Sequence, residues 1–139
     1  MVLGDDRPDV ATSWNNLAFV HKAKCDYARA EEGFEQVLAI RRKVYGDDHP
    51  DVAAASDNLA SVHHAKGEYD KAEEGHKQAM AIGRKVSDND HPDVAWSLNN
   101  LANVWLARAS TTRQRRDISK PWRYVRLCVV MIITMWHGR

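Results

Sequence analysis

Seven histidines, two cysteines, two pairs of adjacent glutamates and a row of asparagines are the side chains with chemistry to offer. A zinc ion would want His-x-x-x-His or Cys-x-x-Cys spacing, and the chain has neither. His63 and His64 are adjacent, so on a helix they would point about 100° apart. Cys25 and Cys128 form no metal-ligand spacing and suit a reducing compartment, with no disulfide framework. Glu31-Glu32 and Glu73-Glu74 could act in acid–base catalysis only if they opposed one another across a cleft. They instead recur along what reads as one solvated face. There is no Gly-rich phosphate loop and no Gly-x-Ser-x-Gly nucleophile turn. Neither catalysis nor a metal or other cofactor is expected. The asparagines are different. An amide both donates and accepts, so Asn16, Asn58 and Asn100 could hold the main chain of an extended peptide whatever its side chains.

Those three asparagines stand 42 residues apart, and so does much else. Pro8-Asp9-Val10-Ala11 returns as Pro50-Asp51-Val52-Ala53 and as Pro92-Asp93-Val94-Ala95. Residues 8–49 and 50–91 agree, ungapped, at 24 positions. Self-similarity at such a period means stacked supersecondary units that bury a continuous core between neighbours. Arrays of this kind offer extended surfaces that bind other proteins.

Within a unit the apolar spacing is helical. Val52, Leu59, Val62 and His63 share a stripe, with Ala53, Ala60 and Ala65 beside it. Lys66-Gly67-Glu68 marks a tight turn. Tyr69, Ala72, His76, Ala79, Met80, Ile82 and Val86 are the inward candidates of the helix after it. Pro50 and Pro92 suit the first position of a helix, with His49 or His91 at its cap and Asp51 or Asp93 complementing its dipole. The pattern predicts helices at about 8–22, 27–44, 50–65, 69–86 and 92–107. The expected fold is all-α: a helical-hairpin solenoid of two and a half repeats over residues 1–107, then a divergent tail over 108–139.

Each unit resembles a tetratricopeptide repeat, specifically the 42-residue version of kinesin light chains and related scaffold proteins. Leu59, Ala60, Gly67, Tyr69, Ala72 and Ala79 carry the likeness in the second unit. Trp14, Leu17, Ala18, Tyr27, Ala30 and Phe34 carry it in the first. The linker Gly46-Asp47-Asp48-His49-Pro50-Asp51-Val52 is also of the light-chain type. Three departures stand out: His21 and His63 replace an inner aromatic, Cys25 replaces the turn glycine, and the second helix of the third unit is unrecognisable. Motor attachment is not supported, since no heptad-rich segment is present. The triplet His49-Pro50-Asp51 also matches the signature loop of J-domain cochaperones. Its recurrence as His91-Pro92-Asp93 assigns it to the repeat linker instead.

The resemblance implies a superhelix whose concave face is lined by the first helix of each pair. By register that groove would hold Asn15, Asn16, Phe19 and Lys22, then Asp57, Asn58, Ser61 and His64, then Asn99, Asn100 and Asn103. It also implies that asparagines there contact bound peptides; the alternative is that they bond to the adjacent helix and shape the stack. An acidic peptide with an aromatic anchor would match the family's cargo, although these positions show no single sign of charge. The expected function is a cytoplasmic scaffold that binds a peptide segment of another protein.

The net charge of +1 conceals an asymmetry: residues 1–107 carry −6 and residues 108–139 carry +7. In the tail a basic cluster precedes an apolar run from Leu127 to Trp136. That run is too short to span a bilayer, which takes about 20 residues. It could touch an anionic membrane surface, cap the last repeat, or be the product of a mis-joined reading frame. No module supports nucleic-acid binding. Removing 108–139 is expected to improve solubility and leave the repeats helical, because Val129-Val130-Met131-Ile132-Ile133 is an aggregation hazard. Alternatives to the scaffold are a module self-associating through exposed end repeats, and a membrane-surface adaptor using the tail.

Overall fold

The structure, a computed structural model, describes residues 7–87, 91–115 and 129–136. The linker residues 88–90 and the basic stretch 116–126 lie outside the described residues. The helices are α1 (Pro8–Ala23), α2 (Tyr27–Tyr45), α3 (Pro50–Ala65), α4 (Tyr69–Val86) and α5 (Pro92–Arg115), followed by α6 over 129–136. Each of α1 to α5 packs on its neighbour in sequence, and α3 also touches α5. This is an all-α helical-hairpin solenoid.

The repeated linker works as its residues require. His49 is the N-cap of α3, and its Nδ1 accepts from the Asp51 backbone N–H at 3.0 Å. His91 does the same for Asp93 at 3.2 Å. The ring acts as an acceptor through Nδ1, so each proton sits on Nε2. Proline then fills the first helical turn, where its missing donor costs least. His49 also stacks on Tyr45 at 4.1 Å, joining the end of one unit to the start of the next.

Small residues bring the paired helices close. A Cβ on Gly33 would lie 2.8 Å from Ala18 Cβ, and one on Gly75 would lie 2.7 Å from Ala60 Cβ. These pairs are related by the 42-residue period, so one close approach is built into each hairpin. Around the first, Ala18, Ala30, Phe34 and Val62 form a buried cluster that spans the junction of two units.

The tight turns need a left-handed residue. Gly67 takes it with φ of 80°, but in the first unit the same position is Cys25 at φ of 61°. An L-residue there is disfavoured by about 1–2 kcal/mol, and glycine relieves this at some entropic cost. Cys25→Gly is therefore expected to stabilise the chain by about 1 kcal/mol, raising Tm by roughly 4 °C in a thermal melt. An unchanged or lower Tm would show that the strain is compensated locally.

Two sequence expectations are revised. Val86 is exposed rather than inward. More substantially, α5 does not stop near residue 107 but continues to Arg115, because Ala109 is buried and Arg108 pairs with Asp70 and Glu73, each at 2.7 Å. Beyond it α6 folds back. Met135 and Trp136 pack on Met80, Val94 and Leu98, Met131 packs on Leu101 and Trp105, and Arg84 donates to the Met135 carbonyl at 3.0 Å. The helix thus lies against α4 and α5, where the second helix of a third pair would stand. None of the described helices is long and apolar enough to cross a membrane.

Candidate functional site

Three first-position helices, α1, α3 and α5, carry the residues expected to line a groove. The structure joins several of them. Asn58 donates through Nδ2 to Asn15 Oδ1 at 3.3 Å, and Lys22 donates through Nζ to Ser61 Oγ at 2.8 Å. Both bonds run from α1 to α3, so these side chains help set the spacing of the two helices. Burial lowers the Lys22 pKa. Burial also lowers the His64 pKa, with smaller contributions from His76 and then Lys22. Phe19 sets its ring edge-on to Phe34 at 5.0 Å while remaining partly exposed. Asn16, Asn99 and Asn103 are exposed and Asn100 is half-buried.

Asp57 has a different role from its neighbours. It is buried, and both of its oxygens are committed. His76 Nδ1–H donates to Oδ1 at 2.7 Å, and Ser97 Oγ–H donates to Oδ2 at 2.7 Å. His76 and Ser97 are themselves buried, so one carboxylate ties α3 to α4 and α5. The serine meets the aspartate and not the histidine, so no activated nucleophile results. Asp57 belongs to the wall of the groove rather than to its free ligands.

Between α3 and α5 lies a cavity of about 290 Å³. Ala53 and Ala54 form a small-residue floor, Asp57 and Asn58 one side, and Asp93, Trp96 and Ser97 the other. Trp96 is 61% exposed. Its register counterparts are Ala54 and Thr12, so a large aromatic appears on this face only in the third unit. Sequence reasoning passed over Trp96 and gave Asp93 only a role at the start of its helix. The signal available for Trp96 was a large aromatic at a position that the earlier units fill with Thr12 and Ala54.

A second cluster sits at the junction of the first two units. Glu31, His63 and Glu68 bring three potential ligand atoms within 4.8 Å of one another. His63 Nδ1 stands 3.9 Å from Glu31 and 3.8 Å from Glu68. The cation there is Lys66, whose Nζ lies 2.6 Å from Glu31 and 2.8 Å from Glu68. Hydrogen bonds to these carboxylates raise the Lys66 pKa, and the Lys66 bond holds Glu68 at about 2. One period later the same positions pair Arg108 with Glu73 at 2.7 Å. The ion pair is thus a recurring fastening between units. It also revises the expectation for the paired glutamates: Glu31 and Glu73 face the next unit, while Glu32 and Glu74 face solvent.

A tetratricopeptide repeat model matches residues 9–82 and, overlapping, 52–110. No curated protein matches the chain. Among solved structures, BtubC (BKLC) from P. vanneervenii aligns with a TM-score of 0.74 at 22% identity, covering 94% of this chain and 48% of that one. The nearly identical TPR-like repeats of a Podosopora anserina protein described as a kinesin light chain align with a TM-score of 0.68 at 26% identity, covering 91% and 56%. A single-substitution variant of those repeats aligns at 0.69 and 26% identity, covering 96% and 59%. The chain is therefore related to kinesin-light-chain-like arrays and spans about half the length of these structures.

Proposed function

The chain belongs to the tetratricopeptide repeat family, and we propose that its concave groove holds an extended segment of a partner protein. The observation that carries this reading is the cavity between α3 and α5, open to solvent and walled by a largely exposed tryptophan. A surface tryptophan beside a small-residue floor is the kind of anchor pocket that dominates binding energy. Asn58 at its edge and Asn100 further along α5 supply amides for the bound main chain.

The chemistry of the cavity favours a basic anchor residue. The described residues that line it include two aspartates and no lysine or arginine. A lysine or arginine side chain could lie over the Trp96 face and meet the Asp93 carboxylate. An acidic segment, which the light-chain resemblance suggests, would meet like charge at this end of the groove. Tetratricopeptide arrays typically hold partners rather than transform them, and a scaffold role follows. The exposed free thiol of Cys25 suits a reducing compartment; the cytoplasm is the location we propose.

A peptide-display screen against the whole chain tests this. Enriched peptides should share a basic residue, and Trp96→Ala at unchanged helicity should weaken them by about tenfold or more. Enrichment of acidic peptides, or binding indifferent to Trp96→Ala, would overturn the anchor assignment. No enrichment from a folded chain would overturn the scaffold reading itself.

A further inference from the structure

The first helix pair shows solvent what later pairs bury. Leu17 and Val20 on α1 are 47% and 48% exposed. Of their counterparts at later periods, Leu101, Val62 and Val104 are fully covered and Leu59 is half-buried. The junction of α2 and α3 shows what covers them. There Val62, with Leu59, packs on Ala30 and Phe34 of the preceding unit's second helix. Among the described helices, none precedes α1 to do the same. A cleft of about 270 Å³ opens on this end, with Trp14, Leu17, His21 and Arg29 in its walls.

The opposite end has the complementary feature. Helix α6 stands in the second position of its pair and uses Met131, Met135 and Trp136 to pack inward. Val129, Val130 and Ile133 are about half exposed, and their i, i+1, i+4 spacing makes one outward stripe. Among the described helices, no apolar second-position helix covers one end of the stack, and α6 displays one at the other. Charge favours the same pairing. Residues 1–107 carry −6 and residues 108–139 carry +7, so the tail of one copy is attracted to the array of another. Two array ends, or two tails, would meet with like charge.

We propose that copies of this chain stack head to tail, the outward face of α6 in one copy covering Leu17 and Val20 of the next. The contact joins two different patches, so it does not close on itself. It produces a concentration-dependent series and not a fixed dimer. The surfaces involved are the ends of the stack, so this assembly does not depend on the peptide-binding reading of the concave face.

Sedimentation velocity on the whole chain is the test, across about two decades of concentration. The wild-type sedimentation coefficient should rise with concentration. Leu17→Glu blocks the head and Ile133→Glu blocks the tail; each variant alone should remain monomeric with unchanged helicity. Mixed together they retain one good head and one good tail, and should form a one-to-one dimer that goes no further. A wild type that stays monomeric throughout would overturn the proposal without any variant. Association of Ile133→Glu by itself would overturn it in favour of head-to-head pairing. A mixture of the two variants that fails to dimerise would overturn it as well.

Discussion

Asp57→Ala is expected to lose about 2–4 kcal/mol of stability, from one buried donor left unsatisfied (about 1–3 kcal/mol) and one further hydrogen bond lost (about 1 kcal/mol). For an array of fewer than three full repeats this approaches its whole stability. The substitution strands the buried His76 ring N–H, which donates at 2.7 Å, while the Ser97 hydroxyl loses its 2.7 Å bond to the carboxylate but keeps the Asp93 carbonyl at 3.1 Å as an acceptor. The orphaned ring N–H forfeits its hydrogen bond without regaining hydration. Because the carboxylate ties α4 and α5 to α3, the loss falls on the junction between the second and third units. Urea denaturation followed by circular dichroism measures it. A midpoint within error of wild type would show that the three groups are incidental neighbours.

The first unit supplies a control. There the positions of Asp57 and His76 are held by Asn15 and Phe34, and Phe34 is fully buried in an apolar cluster. His76→Phe alone leaves Asp57 without one of its donors and should cost about 1–3 kcal/mol. Asp57→Asn together with His76→Phe imports the first unit's solution and should recover most of the loss. A coupling energy well above 0.5 kcal/mol in that double-mutant cycle would assign the effect to the pair.

The same pair shows why the site was less legible than the fold. The 42-residue period exposes the first five helices, since the helix-start proline recurs in all three units and the histidine cap and the small-residue contact each recur in two. Register alone puts Asp57 beside Asn58 in the groove. Its actual setting depends on His76, 19 positions on, and on Ser97, 40 positions on, each on a different helix. The visible clue was a joint change, Asn15 to Asp57 alongside Phe34 to His76, which a residue-by-residue reading of the groove passes over. Trp96 escaped for the opposite reason. It matches nothing in the other units, and the groove positions were chosen by what repeats. The end of the array was misjudged because α6 packs by shape against Met80, Leu98 and Trp105 and owes nothing to repeat identity.

Removing residues 108–139 is accordingly expected to destabilise the chain, contrary to what its aggregation-prone composition suggests. The deletion cuts α5 short and takes away Arg108, which bridges to Asp70 and Glu73 on α4 at 2.7 Å each. It also uncovers Met80, Val94, Leu98, Leu101 and Trp105 where Met131, Met135 and Trp136 now lie. Re-exposing even two large apolar side chains costs about 3–6 kcal/mol. Surface ion pairs add little by comparison, typically under about 1 kcal/mol each, so burial decides the sign. The truncated chain should melt well below the full one and bind a hydrophobic dye before it unfolds. Restoring α6 as a separate peptide of residues 127–139 should raise the midpoint again, in proportion to its concentration. A truncated chain as stable as the full one, and indifferent to that peptide, would show that α6 contributes no capping energy, and the stack would then end stably on α5 alone.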